Sequence, residues 1–535
     1  MNTVLEVREP SARNLTTSQP DALQQLDSLS TAPGGVARLR ELIRALAVQG
    51  RLLGQSEPRS ADLPPDWTWK RLGDLVASSE AGWSPSCPEQ PRREGRWGIL
   101  KVSAVSWGEF DAAANKELPL ELQPRPQYEV QHGDFLLSRA NTAELVARSV
   151  VVKNPPPRLL LSDKIIRLKL KQEVDAEYLN LVNNSSAARS HYQALASGTS
   201  ASMKNVSREV VLALPVPLPP LAEQTRIVTR VDELMRLCDA LEEKGRLEAE
   251  QHARLLSTLL GTLTDSATPE ELAANWQRVA EHFDLLLDRP EAVDALEQTV
   301  LRLAVLGLLG PQDPSEGSAQ NLLGPDAKAR HDSNAEAPQL PDGWAWAYLG
   351  EVADARLGKM LDKAKNRGRP RPYLRNTNVQ WQRFELDDVK HMNLDESELE
   401  EFRLRSGDLL ICEGGEPGRC AIWQENETEM YFQKALHRVR PHAGVMAQYI
   451  AIALEADALS GALSRYFTGA TIKHFVGQAL DRYSFPLPPS GEQQRIVARV
   501  AELRRLCATL RQRLQAQQAT QSRLAEALVE QALSG

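Results

Sequence analysis

The chain has 535 residues, 42% of them hydrophobic and 25% charged, with a formal net charge of −8. That length exceeds a single hydrophobic core and predicts about three or four domains at roughly 150 residues each. The acidic balance confines any nucleic-acid contact to local charge, and no apolar run approaches the ~20 residues of a membrane span.

Residues 1–35 are polar and rich in Ser, Thr and Pro, which predicts a loose leader without a basic-then-apolar signal pattern. A helix is expected within 36–60, over VARLRELIRALAVQGRL (Val36–Leu52). The stretch 61–216 opens on LPPDWTWKRLGDL and continues through short apolar runs of strand length: Asp134–Leu137, Val150–Lys153 and Ile165–Leu170. A helical pattern intrudes at Ala176–Leu195. The prolyl hinge PLPP and a long helix follow, so 217–312 reads as a helical region that ends on AVDALEQTVLRLAVLGLL (Ala292–Leu309). A linker is expected over 313–337. The stretch 338–485 then repeats the opening pattern, with Asp408–Cys412 as a strand and Ala447–Tyr466 as helix, and 486–535 repeats the hinge and long helix.

The chain is a tandem duplication. PLPPLAEQTRIVTRVDELMRLC (Pro217–Cys238) matches PLPPSGEQQRIVARVAELRRLC (Pro486–Cys507) at a constant offset of 269 residues. The shared letters include the polar pairs Glu223/Glu492, Gln224/Gln493, Arg226/Arg495 and Arg230/Arg499. Trp67/Trp344, Trp69/Trp346 and Gly73/Gly350 align at 277, Gly133-Asp134 with Gly407-Asp408 at 274, and Lys204/Lys473 at 269. The offset drifts as loops permit. The five cysteines (Cys87, Cys238, Cys412, Cys420, Cys507) are sparse and odd in number, which fits buried or free thiols in a reducing, cytoplasmic setting.

Each long helix carries apolar residues at alternating steps of four and three. They are Ile227, Val231, Leu234, Cys238 and Leu241 in the first, and Ile496, Val500, Leu503, Cys507, Leu510 and Leu514 in the second. That is a heptad seam. About 35 residues at 1.5 Å each span roughly 50 Å. The fold class expected is therefore α+β: two homologous globular domains separated by long antiparallel coiled-coil helices, with a pseudo-two-fold internal repeat. The N-terminal helix has a counterpart after the first long helix but none after the second. It is therefore expected to dock beside the C-terminal helix.

The LPxGW-like start, the PLPP-x-x-Glu-Gln-x-x-Ile helix and the AVxGxL helix, all present twice, resemble the specificity subunit of type I restriction–modification systems. The first start departs from the pattern, with Pro65-Asp66 where glycine is usual. The resemblance implies two target recognition domains, each reading one half of a split duplex-DNA site, with the helices as spacer. Two methyltransferase subunits would flank them and restriction subunits would join. S-adenosylmethionine, ATP and Mg would sit on those partners and no cofactor on this chain. A duplicated adaptor that holds two copies of a protein partner is the alternative reading.

No catalytic signature is visible. Asn154-Pro155-Pro156-Pro157 mimics a methyltransferase tetrad, but its last residue has no ring to stack on a flipped base. Gly414-Gly415-Glu416-Pro417-Gly418 lacks the Lys-Ser/Thr of a phosphate loop and reads as a hairpin turn. The nine histidines have no zinc spacing.

The candidate DNA-binding residues lie chiefly in the second domain: Lys363, Lys365, Arg367, Arg369, Arg371 and Arg375, beside Lys359, just before Asn376 and Asn378. Arg and Lys contact phosphate, whereas Asn can present a bidentate edge to adenine. In the first domain Arg92, Arg93, Arg96 and Lys101 occupy the equivalent place. Two small-residue loops, Gly198–Lys204 and Thr468–Lys473, end on the matched Lys204 and Lys473 and suit close approach to phosphate.

Overall fold

The computed structural model describes residues 29, 32–53, 63–106, 108–198, 203–266, 268–323, 340–362, 366–424 and 429–534. The chain divides into two compact units, Met1–Glu248 with Gln518–Gly535, and Ala249–Gln517. The division falls inside both long helices, Leu221–Thr264 (44 residues) and Ser490–Ser534 (45 residues). At 1.5 Å per residue each is about 66 Å long, longer than the sequence reading.

In the first unit, strand Thr68–Arg71 pairs antiparallel with Pro215–Leu218, so the start and end of the globular domain meet where the long helix begins. The central sheet is antiparallel in the order Val76–Ala81, Ile165–Leu170, Phe135–Ser138, Ser149–Val151. A smaller mixed sheet joins Asn115–Glu117, Gly98–Leu100 and Leu159–Leu160. The 176–195 helical pattern is two helices, Ala176–Asn183 and Ser186–Leu195. Asp175 and Ser185 supply their N-caps, which is why the pattern breaks at Asn184.

The second unit repeats this plan. Ala345–Tyr348 pairs with Ser484–Leu487, and the central sheet runs Ala353–Leu357, Leu436–Pro441, Leu409–Cys412, Cys420–Ile422. The small sheet runs Lys390–Leu394, Arg369–Leu374, Tyr431–Phe432. Helix Ala447–Ser460 stops at Gly461, which takes φ 79° in the left-handed region, and a 3-10 turn follows.

The twice-written Glu-Gln signature is a structural lock. Gln224 and Gln493 are fully buried. The Gln493 carbonyl accepts from Met446 N at 2.8 Å, and its amide donates to the carbonyls of Pro488 (3.0 Å) and Gly444 (3.3 Å). Gln224 makes the same three bonds with Asp175 N, Pro219 O and Glu173 O. Glu223 and Glu492 accept from the indoles of Trp67 (3.3 Å) and Trp344 (2.8 Å). A prolyl hinge cannot supply backbone donors, so these side chains fix the angle between domain and helix. Burial raises the Glu492 carboxyl above the usual carboxylate range.

Each unit also holds a short helix, Gly35–Val48 in the first and Pro290–Val305 in the second. Gly50 and Gly307 follow them at φ 73° and 71°, and a Cβ at either would strike Pro64 or Pro341 and crowd Trp67 or Trp344. This accounts for the AVxGxL signature. The N-terminal helix packs with the final turns of the chain. Arg38 pairs with Glu526 at 2.7 Å, Arg51 donates to Leu533 O at 3.0 Å, and Leu528, Val529 and Ala532 line the same core. Leu29 and Ala32 are buried in that core too, so part of the segment read as leader belongs to the fold.

The heptad seams differ from a plain two-helix pairing. Ile227, Val231, Leu234 and Cys238 pack into the domain and short-helix core of the first unit, and Leu241 is half-buried. Ile496 and Val500, with Leu503 beside them, join the domain core of the second unit. Cys507, Leu510 and Leu514 turn instead to Leu256, Leu260, Leu263, Ala292 and Leu296. One stripe thus serves a domain first and helices second, because its opening turns lie beside the paired terminal strands.

Candidate nucleic-acid interface

Three chain segments converge at one edge of each central sheet. In the second domain, Thr468 and His474 exchange backbone bonds of 2.8 and 2.9 Å and close a small loop. His474 also bridges to Gly414, in the hairpin turn after strand Leu409–Cys412. The Asn376 amide donates to Gly414 O at 3.0 Å and ties in the 3-10 turn Asn376–Asn378.

The first domain reproduces the arrangement. Ser197 and Asn205 exchange bonds of 2.9 Å, Lys204–Asn205 pairs with Ala140–Asn141, and Asn141 donates to the Ser106 hydroxyl at 2.8 Å. The register agrees with the repeat: Val206 N donates to Arg139 O, as Phe475 N does to Glu413 O. The exposed cations at this edge are Arg139 and Lys164 in the first domain and Lys434 and Lys473 in the second.

Many predicted cations are engaged elsewhere. Arg371 is paired with Glu429 at 2.6 Å, Arg375 with Asp388 at 2.7 Å, and Lys359 with Glu398. The Asp388 carboxyl, bonded by Lys390 and Arg375, is held below its ordinary value. Asn378 is buried, and its amide bonds Arg375 N, Glu385 O and Asp388 O, so it presents nothing to a base edge. Asn376 spends its amide nitrogen on Gly414 O and its carbonyl on Thr377 N.

In the first domain Arg92 donates to the carbonyls of Arg96, Pro157 and Arg158. Arg93 is paired with Glu117, whose carboxyl it pulls down to about 2, and Lys101 with Glu89 at 3.8 Å. Lys204 donates to Gly198 O at 2.6 Å, which places its ammonium on its own loop. Arg367, Arg369 and Lys473 are exposed. Lys363 and Lys365 lie outside the described residues.

The five cysteines are free thiols, and burial pushes Cys412 up to about 11 and Cys420 well above its ordinary value. Among the described residues no cluster of His, Cys, Asp and Glu could hold a metal ion, and no helix is long and apolar enough to cross a membrane. Asn154, at φ 46°, sits in a turn with its N–H on His132 Nδ1.

The molecule is thus a duplicated α+β protein with the same loop edge built once in each domain. The chain belongs to the type I restriction modification DNA specificity domain family, which matches residues 64–251 and 341–517. It is 32% identical over 358 residues to the type I restriction enzyme EcoAI specificity subunit of Escherichia coli. That alignment spans 63% of this chain and 61% of the relative, less than two thirds of its length. Similarity to the EcoEI specificity subunit of Escherichia coli is 27% over 569 residues, 94% of each chain. A solved chain from work on complex assembly and conformational transition of the type I R-M system superposes with a TM-score of 0.51. It is 20% identical and aligns over 89% of this chain and 100% of its own length, a likeness of fold.

Proposed function

We propose that this chain is the non-catalytic DNA-specificity subunit of a cytoplasmic type I restriction–modification assembly. Each domain reads one half of a bipartite duplex site through its loop edge. The helices set the spacing of the halves and dock two methyltransferase subunits, and restriction subunits join that assembly. S-adenosylmethionine, ATP and Mg act on the partners. The observation that carries this reading is the repetition of one loop edge, with exposed cations, in two domains each locked rigidly to a long helix. A rigid seat suits readout, because base contacts require side chains positioned to a fraction of an ångström.

The test is methylome sequencing of the host with and without the gene. The expected result is a split motif, with one modified adenine in each half, that vanishes on deletion. An unchanged methylome refutes the reading. Exchange of residues 338–485 for the equivalent domain of a relative should change only one half of the motif.

A further inference from the structure

The two loops at the domain edges share a construction that the sequence alignment of the repeat leaves implicit. Each is closed at its base by a mutual backbone pair, Ser197 with Asn205 and Thr468 with His474. Each begins with a glycine in the left-handed region, Gly198 at φ 118° and Gly469 at φ 95°. A Cβ on Gly198 would stand 2.7 Å from the Met203 carbonyl oxygen, and one on Gly469 would collide with the Ile472 carbonyl oxygen. Each glycine thus stands against the carbonyl of the residue that precedes the matched lysine, where a side chain would not fit. That residue is a large aliphatic one, Met203 or Ile472, and it is 46% or 65% exposed. A lysine follows it directly, Lys204 or Lys473.

A single exposed aliphatic side chain needs no explanation on its own. Two of them, 269 residues apart at the same position of two glycine-braced loops, do. An aliphatic tip has no donor or acceptor and cannot read base-edge hydrogen bonds. What it can do against DNA is enter the stack, as apolar wedges of Met, Ile, Leu or Phe do when they part a base step. Methylation of a base requires that it leave the stack, and unstacking by a wedge lowers the cost of that step.

We propose that Met203 and Ile472 are wedge residues, one for each half-site, that part a base step beside the target base while the neighbouring cations hold phosphate. This rests on the DNA-reading function above.

The test uses the full chain assembled with its methyltransferase subunits, on a duplex carrying the methylome-defined site with 2-aminopurine placed through each half. Wild type should show a fluorescence rise in both halves. Ile472→Ala should abolish the rise in the half read by the second domain and Met203→Ala in the other half. Each should weaken binding roughly ten-fold, in keeping with the loss of about one stacking contact, with an unchanged salt slope and unchanged thermal unfolding. Ile472→Leu should retain the rise.

Normal fluorescence in the alanine variants, loss in both halves from one substitution, or a lowered melting temperature overturns the wedge while leaving DNA binding intact. If replacing thymine with uracil reproduces the alanine phenotype, the contact is with the thymine methyl and the wedge is refuted. Failure of wild type to bind the site removes the functional reading itself.

Discussion

Reversing Arg40 should unseat the N-terminal helix, and reversing its partner as well should restore it. Arg40 Nη2 lies 2.7 Å from both Asp239 Oδ1 and Glu242 Oε2 on the long helix. In the second unit the equivalent position of the short helix is Glu297, and that of Glu242 is Arg511. Arg511 bridges Asp294 at 2.6 Å and Glu297 at 3.0 Å. The same clamp is therefore built twice with opposite polarity. The apolar faces differ little: Leu39, Ile43, Leu46 and Ala47 correspond to Leu296, Val300, Leu303 and Ala304. Charge must decide which short helix a long helix accepts, since the wrong pairing sets Arg40 against Arg511, or Asp294 and Glu297 against Asp239 and Glu242.

The magnitude follows from exposure. The Arg40 side chain is 24% exposed, but Asp239 and Glu242 are 67% and 62% exposed. Exposed pairs contribute about 0.2–1 kcal/mol each, so Arg40→Ala should cost about 1 kcal/mol. Arg40→Glu adds repulsion of about 1 kcal/mol from each carboxylate at ~4 Å in a water-like dielectric, for a total near 3 kcal/mol. Arg40→Glu with Glu242→Arg recreates the second unit's polarity and should recover about half to two-thirds of the loss. Hydrogen exchange over residues 35–48 and thermal unfolding at low and at ~1 M salt measure this, and high salt should shrink the gap. Equal loss in Arg40→Ala and Arg40→Glu, or no recovery in the double variant, would refute the charge code.

Gln493→Leu removes the partner of Met446 N and of the Pro488 carbonyl at a fully buried side chain, while the Gly444 carbonyl keeps the Ser490 hydroxyl; it should cost about 2–4 kcal/mol in chemical denaturation. Gln493→Glu should cost more, because it buries a negative charge against the Pro488 and Gly444 carbonyl oxygens. The buried His437 imidazole, whose Nε2 lies 2.9 Å from Phe475 O, is pushed below its ordinary value by desolvation. Its neutral form is the one the fold holds, so its contribution is complete above about pH 6.5 and is lost as pH falls below it, by at most about 1.4 kcal/mol per pH unit. The first domain has Ile166 at that position, so His437→Ile should flatten the acid limb of the second unit's unfolding profile. Arg367→Ala with Arg369→Ala, both exposed, should weaken binding of the assembly to all duplexes alike and reduce the slope of log affinity against log salt by up to about 2. An unchanged slope removes that strand from the interface.

The repeat, the α+β alternation and the starts of the long helices were legible in the sequence because each is local or self-similar. Pro219-Pro220 and Pro488-Pro489 stop at the first residues of helices Leu221–Thr264 and Ser490–Ser534, and Gly50 and Gly307 end the short helices as left-handed residues must. Proline and glycine act on their own backbone, so one residue suffices to place them.

The site was less legible. Arg371 and Arg375 look like DNA contacts in a basic run, yet their carboxylate partners Glu429 and Asp388 arrive from other segments of the sheet. Arg93 and Glu117 meet through the pairing of Gly98–Leu100 with Asn115–Glu117 in the same way. Composition counts charges, whereas only the tertiary fold says which remain available to a ligand. Sequence by itself thus determined that there are two alike halves and where each long helix starts. The fold alone decided which face of each seam meets a domain, which cations are neutralised and that Met203 and Ile472 stand exposed on matched loops, because those outcomes depend on long-range pairings that no local pattern encodes.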